Sequence, residues 1–440
     1  MTLATTTARR PPGPDAPVRL GVDPDTLEVL EAARRAYGEV VAFRTPGGRF
    51  ACFVNDPDEV RRLLVRRHAN YRKGPGFERV KMLLGNGLIV SDGAEWRRAR
   101  TMIQPAFSRR NLHRLIGLMV ECTLARERHW RAVAAAGGTL NITQETSEFA
   151  LEVILRAIFG PDYERRIVRD GENPFAFLSS DPARDLRVVL KMRALRSLLL
   201  EIIAGRRAEA EPDEYDFLAA YLAARDRAGN AFTDTELVDE IVNLIVAGYE
   251  TSAGTLNWAW YLLAAHPDVR QHVATEGRAL AGNPDDIDEN SAAAMTYTQA
   301  VLDETLRLYP PVWLFTRRAN EEDTLAAFDV PAGADLYLSP YVLHRTETYW
   351  PEPEVFDPDR FTSDGSVAKG ERPYFPFSLG PRRCLGEYFA FLEMKIHLGI
   401  LAPRFVLSRA DARTPALQLG INLRAGSDIL LAPETAGGSR

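Results

Sequence analysis

From Thr233 to Ala265 the chain carries a helical pattern with no proline inside it, opened by the capping-box sequence Thr233-Asp-Thr-Glu236 and stopped by His266-Pro267. At 1.5 Å per residue such a helix is roughly 45 to 50 Å long, enough to cross a whole globular domain. Asp239, Glu240, Asn243 and Glu250 lie within it and argue against a membrane span. It reads as a central helix. With 440 residues, 46% of them hydrophobic, the chain can bury a large core, and length alone would suggest two or three domains.

Most of the remaining pattern is also helical. A second helix ends at Leu308, where Tyr309-Pro310-Pro311 cannot continue it. Short strands are expected at Val40 to Phe43 and Phe50 to Val54, joined as a hairpin through Pro46-Gly47-Gly48. Others are expected at Val312 to Phe315, Asp335 to Ser339, Gln418 to Leu423 and Asp428 to Leu431. The class is therefore mainly α with small β-sheets (α+β). No repeat of solenoid or propeller period occurs, and the biased segments are the N-terminus and the acidic run Glu209 to Asp216.

Charge and cysteine usage exclude several function classes. A net charge of −6 and a pI near 5.8 leave no electrostatic footprint for nucleic acid. Cys52, Cys122 and Cys384 are odd in number and far apart, which speaks against a disulfide framework and fits a reducing cytosol. Met1 to Pro17 is rich in Thr, Arg and Pro and holds no apolar stretch of signal or spanning length, so it is expected to be a disordered leader.

Cys384 lies in Phe377-Ser-Leu-Gly380-Pro-Arg382-Arg-Cys384-Leu-Gly386, directly before an apolar helix. Gly380 and Gly386 permit backbone geometry that a side chain would block, while Arg382 and the helix start offer positive potential that keeps sulfur deprotonated. That is the environment in which a thiolate ligates haem iron and favours O–O cleavage. A structural cysteine in a turn is the plainer alternative. Inside the long helix, Ala247-Gly248-Tyr249-Glu250-Thr251 sets an acid and an alcohol after two small residues. The small residues leave room for a flat cofactor and dioxygen, and the Thr251 hydroxyl can bend to the preceding carbonyl and open a local groove. Taken alone, the same segment is compatible with an ordinary helix bent at glycine.

The cysteine loop and the Glu250-Thr251 pair resemble the cytochrome P-450 family of haem-thiolate monooxygenases, and the likeness runs from about Pro24 to Leu431. The resemblance implies one domain, residues 18–440, with the long helix passing over a buried haem b (iron protoporphyrin IX). It implies that Cys384 ligates the iron, that Thr251 orients water, and that Glu250 belongs to the route for protons. Phe377 would pack below the porphyrin and Gly386 would pass close to it. Trp96 and Arg100, matching a Trp-x-x-x-Arg signature, would hold the haem propionates together with Arg318 and Arg382. Arg317 could exchange roles with Arg318 by a register slip, and His68 lies near another contact of some relatives but reads as a surface histidine. Glu304, Arg307 and Arg360 would form a buried charged network bracing the cysteine loop.

By position, the substrate would be lined by Phe77, Met82 and Leu88, by Phe175, Phe177 and Leu178, by Asn243, Leu244, Val246 and Ala247, by Val312 and Leu314, and by Ile421. Most are apolar, so a mid-sized apolar molecule is expected, with Asn243 as a hydrogen-bonding anchor; for each apolar residue core packing is the competing role. The resemblance implies use of O2 and two external electrons to hydroxylate, epoxidise or oxidatively couple a secondary metabolite. No flavin or nicotinamide fingerprint follows the cysteine loop, so the electrons are expected from a separate ferredoxin or flavodoxin with its reductase, docking near Arg97, Arg98, Arg109, Arg110 and Arg383. The expected setting is a cytoplasmic monomer without membrane or nucleic-acid contact. A peroxide-using or isomerising haem-thiolate enzyme, or a haem sensor, are the alternatives; the acid-alcohol pair argues against the first and the lack of an output domain against the second.

Overall fold

The run opened by the Thr233 capping box forms one unbroken helix in the computed structural model, Asp234–Ala265, and both reciprocal hydrogen bonds of the capping box are made. The structure describes residues 9–21, 25–168, 172–180, 186–209, 215–281, 286–363, 373–410 and 413–436. Residues 1–8 of the expected leader and most of the acidic run 209–216 lie outside them. The helix Ile142–Phe159 buries most of its residues and packs along the central helix. Their close approach depends on Gly248, where an added Cβ would come 2.7 Å from Ile154 Cδ1. Gly248 therefore serves a helix crossing.

Behind the cysteine loop, helix Glu387–Leu401 is buried from Phe391 to Leu401 and packs against helices Pro267–Ala281 and Ile116–Ala135. Trp130, Trp258, Trp260, Trp313 and Trp350 are fully buried, and such rings dominate the apolar area a core removes from water. No helix among the described residues is long and apolar enough to cross a membrane.

The described strands are β1 (Val40–Arg44), β2 (Phe50–Val54), β3 (Tyr71–Lys73), β4 (Leu140–Asn141), β5 (Phe315–Ala319), β6 (Asp323–Leu325), β7 (Phe328–Val330), β8 (Asp335–Leu338), β9 (Phe405–Arg409), β10 (Leu417–Gln418), β11 (Arg424–Ala425) and β12 (Leu430–Thr435). They form sheets in the orders β1-β2-β8-β5-β3, β4-β12-β9, β6-β7 and β10-β11. The expected β1–β2 hairpin is present with Val40 opposite Val54. Val312 to Leu314 precede β5 instead of forming it, because Pro310-Pro311 withholds two ladder donors and Trp313 turns into the core. Residues 9–17, expected to be disordered, run beside the edge strand β1: Ala42 N–H donates to Pro12 O (2.9 Å), Val18 N–H to Arg44 O (2.8 Å), and Asp329 N–H to Arg9 O (2.8 Å). An exposed edge is a template for any extended, proline-rich segment.

Candidate active site

The cysteine loop is built from a turn, a left-handed glycine and a helix start. Ser378 N–H donates to Phe375 O (3.0 Å), Arg383 N–H to Gly380 O (3.0 Å) and Cys384 N–H back to Phe377 O (2.9 Å). Gly380 has φ +68°, and a Cβ there would stand 2.3 Å from Leu64 O, so both conformation and space require glycine. The backbone N–H groups of Gly386 and Glu387, at the start of helix Glu387–Leu401, meet the Cys384 sulfur. Burial of the sulfur against its loop pushes the thiol up, while these amides and Arg100 pull it down. Cys384 is exposed and borders a recess of about 590 Å³ together with Thr101, Gln104, Pro105, Phe107, Ser108 and Leu385. The Phe377 ring lies 5.3 Å from that of Phe391.

Beside the loop stands a cluster of buried and half-buried cations. Arg382 stacks on the Trp96 ring at 4.4 Å and pairs with Asp92. Arg317 is 5% exposed, and its one hydrogen bond among the described residues is to Thr316 O (2.8 Å). Burial and the neighbouring Arg382 push Arg317 down to about 10. Lys73 is held well below its ordinary value by burial, Arg317 and Arg382, and Arg100 and Arg382 are lowered chiefly by burial. Lys73, Arg317 and Arg382 thus share one carboxylate, Asp92, while Arg100 faces the Cys384 sulfur.

Arg318 is not among them. Successive residues of a strand face opposite sides, so Arg318 turns away and binds Asp335 through Nε (2.6 Å) and Nη2 (3.1 Å). Arg317 takes the place expected for Arg318. Lys73 was not anticipated; it sits opposite Arg317 in the β3–β5 register, a pairing that only the sheet order makes visible. His68 is half-exposed and bonds Val65 O through Nδ1 (2.9 Å). Cations in excess over the one nearby carboxylate call for a further anion, and two carboxylates on a flat ring fit this donor set.

On the central helix, Ala247 is exposed and Thr251 half-exposed although their neighbours Ile245, Tyr249, Glu250 and Ser252 are buried, so this turn faces an internal space. The Thr251 hydroxyl donates to Ala247 O (2.9 Å), the local bend that its sequence predicts. Glu250 is buried and paired with Arg424 of β11.

The family model of cytochrome P450 matches residues 19–423. The chain belongs to the cytochrome P450 family. Among curated relatives, cyclooctatin synthase of Streptomyces melanosporofaciens is 32% identical over 393 residues, covering 85% of this chain and 84% of that protein. Cyclooctat-9-en-7-ol 5-monooxygenase of the same organism is 31% identical over 401 residues, 87% of this chain and 85% of that one. Pentalenene oxygenase of Streptomyces avermitilis is 30% identical over 411 residues, 87% and 88%. The protein is thus a haem-dependent monooxygenase that acts on a small molecule with O2 and electrons from a redox partner.

In this P450, Glu304 and Arg307 are fully buried and joined at 2.6 and 2.8 Å. Arg307 also donates to His344 O (3.0 Å), Pro353 O (2.7 Å) and Val355 O (3.1 Å). Arg360 Nε lies 3.6 Å from Glu304, and its Nη atoms hold Pro351 O (2.9 Å) and Glu352 O (3.1 Å). The triad therefore clamps the segment 351–357, which leads toward the cysteine loop.

The P450 substrate positions divide. Met82 is 78% exposed at the surface of helix Phe77–Leu84, pointing to solvent. Asn243 is no substrate anchor: its Oδ1 accepts from Ile89 N–H (3.1 Å) and its Nδ2 donates to Leu84 O (3.0 Å) and Asp239 O (2.8 Å). It tacks the 85–89 loop to the central helix, together with Asp239, which accepts from Asn86 N–H (2.7 Å), and Glu240, which accepts from Leu88 N–H (2.9 Å). Phe175 is core, beside Phe159. Phe77, Leu88, Phe177, Leu178, Leu244, Val246, Val312 and Leu314 are half-buried, and Ile421 is exposed at the β10–β11 turn. Of the expected docking arginines, Arg98 is committed to Asp226 (2.8 Å) and Glu236 (2.7 Å) and Arg383 to Glu387 (2.6 Å).

Proposed function

We propose that Cys384 is the axial thiolate of the haem and that Lys73, Arg100, Arg317 and Arg382, with Trp96, hold its propionates. The observation that carries this is the charge imbalance beside the cysteine loop: Lys73, Arg317 and Arg382 gather around the carboxylate of Asp92, lowered by burial and by neighbouring arginines, and Arg100, lowered by burial, stands near the Cys384 sulfur. Bound there, the haem supplies the redox chemistry by which an oxygen atom from O2 enters the substrate. The chain's own tasks are then positional. Gly386 and Glu387 N–H groups fix the sulfur's donor strength, and the cations fix the ring's orientation. Thr251 holds a proton-bearing group at the Ala247 bend, and Glu250 brings protons to it from the Arg424 side.

The substrate in this reading is an apolar ring compound of the terpenoid kind. Its support is the loss of Asn243 as an anchor, which leaves Leu88, Ala247, Leu244, Val246, Val312 and Leu314 as the lining, and the hydrocarbon-derived names of the Streptomyces relatives. Electrons come from a ferredoxin or flavodoxin meeting Arg97, Arg109 and Arg110, exposed residues near the Cys384 recess. A cytoplasmic monomer suits that exchange.

The test is a titration of cyclic terpene alkenes and alcohols into the ferric protein, followed by product analysis with NADPH, ferredoxin and reductase. Displacement of iron-bound water and an oxygenated product are expected. Turnover with hydrogen peroxide but not with the reductase system would overturn the electron requirement. Cys384→Ser is expected to lose the thiolate signature of the reduced carbon-monoxide complex, and its retention would remove Cys384 from the iron.

A further inference from the structure

Glu250 sits mid-way along the central helix, yet its partner comes from the far end of the chain. Arg424 Nε donates to Glu250 Oε1 at 2.9 Å, and Nη2 reaches the same oxygen. The glutamate side chain is 4% exposed and the arginine side chain 33%, so the pair leads from the solvent edge into the helix. Arg424 does not swing freely. It belongs to the β10–β11 hairpin, which is tied to the segment before β5: Leu423 N–H donates to Pro311 O (2.8 Å), and Trp313 Nε1 donates to Gly420 O (3.0 Å). The hairpin thus has a fixed seat on the residues that flank Val312 and Leu314, with its guanidinium delivered to one carboxylate. Thr251 is the next residue along the helix, its hydroxyl turned to Ala247 O.

We propose that Arg424 is a positioning residue for proton delivery: it parks the Glu250 carboxylate on the hairpin side, charged and in reach of water, between deliveries to Thr251. This rests on the reading of Glu250 and Thr251 as the proton route. An adjacent guanidinium stabilises a buried carboxylate as the anion, so a proton moves only when the carboxylate leaves it. In each delivery the carboxylate takes one proton from water beside Arg424, lets go of the guanidinium and gives one proton to the hydroxyl or water at Thr251. It then returns to Arg424 as the anion, and no electron moves. A plain clamp would tie the hairpin down without touching this count.

The experiment needs no organic substrate. The haem-loaded, full-length protein is supplied with NADPH, ferredoxin and reductase, and dioxygen and hydrogen peroxide are measured together. Peroxide formation uses one NADPH per dioxygen and water formation uses two, so a failing proton route raises the peroxide fraction. Arg424→Gln is expected to raise that fraction about threefold or more, as is Glu250→Gln, and the double variant no further, since both act through one group. Arg424→Lys keeps the cation and is expected to stay near wild type. Hydrogen exchange of residues 417–425 reports the hairpin independently of turnover and is expected to quicken in Arg424→Gln. Quicker exchange with an unchanged peroxide fraction in Arg424→Gln, while Glu250→Gln raises it, would reduce Arg424 to a clamp and overturn the proposal. An unchanged fraction in Glu250→Gln would instead remove Glu250 from the proton route.

Discussion

Arg317 and Arg318 are neighbours in sequence and opposites in environment. Strand alternation sends Arg317 into the cationic cluster and Arg318 to Asp335, which is itself buried. Nothing in the dipeptide distinguishes them; the register of β5 against β3 and β8 does. The two substitutions are therefore expected to separate. Arg317→Ala removes a charged hydrogen-bond donor worth roughly 1.5 to 3 kcal/mol, so haem should transfer to an acceptor protein about ten to a hundred times faster. Arg318→Ala should leave that rate near wild type and lower the unfolding midpoint instead, because Asp335 loses its partner. Equal haem loss in both variants would show that Arg317 does not face a propionate. By contrast, Cys384 was readable without the fold, since its neighbours Gly380 and Gly386 and the helix that follows are contiguous with it.

At the scale of elements, the loop 85–89 rides on the central helix through side chains that a helical pattern marks only as polar. Asp239, Glu240 and Asn243 recur at helical spacing and take the loop's N–H groups one by one, which is why they tolerate burial. The approach is close: Gly85 has φ +76°, and a Cβ there would stand 2.1 Å from Asp239 Oδ1. In sequence these residues spoke only against a membrane span, and nothing local shows that a distant loop covers them. Arg196 of helix Leu186–Ala208 also reaches Asp239 (2.6 Å), so two elements near the substrate positions meet at one carboxylate. Glu240 carries a pH consequence. Burial, with Asp239 and Glu236 nearby, raises its carboxyl from the model-compound value of 4.5 to about 7. Between those values the folded protein holds a proton that the unfolded chain has released, so this group's contribution favours folding at low pH and is lost as pH rises to about 7. At 1.36 kcal/mol per unit the full swing is up to roughly 3 kcal/mol. Glu240→Gln is expected to flatten the stability profile from pH 4.5 to 7, read from denaturant midpoints; an unchanged slope would place the titration elsewhere.

Across the whole molecule, the long helix, the helix behind the cysteine and the mixed α+β class were legible because each rests on contiguous pattern: a capping box, an apolar run, a proline stop. What sequence left open was whatever joins distant segments, namely the seat of residues 9–17 on β1, the Lys73–Arg317 register and the Arg424–Glu250 pair. The Glu304–Arg307–Arg360 network lies between these cases. Its i,i+3 pair is visible on any helix and carries little information alone, yet here both members are fully buried, Arg307 donating to the carbonyls of His344, Pro353 and Val355 and Glu304 accepting from Asp357 N–H. Burial raises the Glu304 carboxyl while Arg307, the Asp357 N–H and Arg360 lower it, so the charge survives only with its partners in place. Removing one member strands a buried charge, at a cost of roughly 3 to 5 kcal/mol. Arg307→Leu should therefore fail to retain haem, because segment 351–357 loses its anchors at Pro353 and Val355 and the cysteine loop beyond it loses its support. Glu304→Leu with Arg307→Leu removes both charges and should recover part of the unfolding midpoint but not the haem, since the carbonyls of His344, Pro353 and Val355 stay without donors. Thermal unfolding and pigment content measured side by side check this, and full haem content in Arg307→Leu would show that the network does not brace the loop.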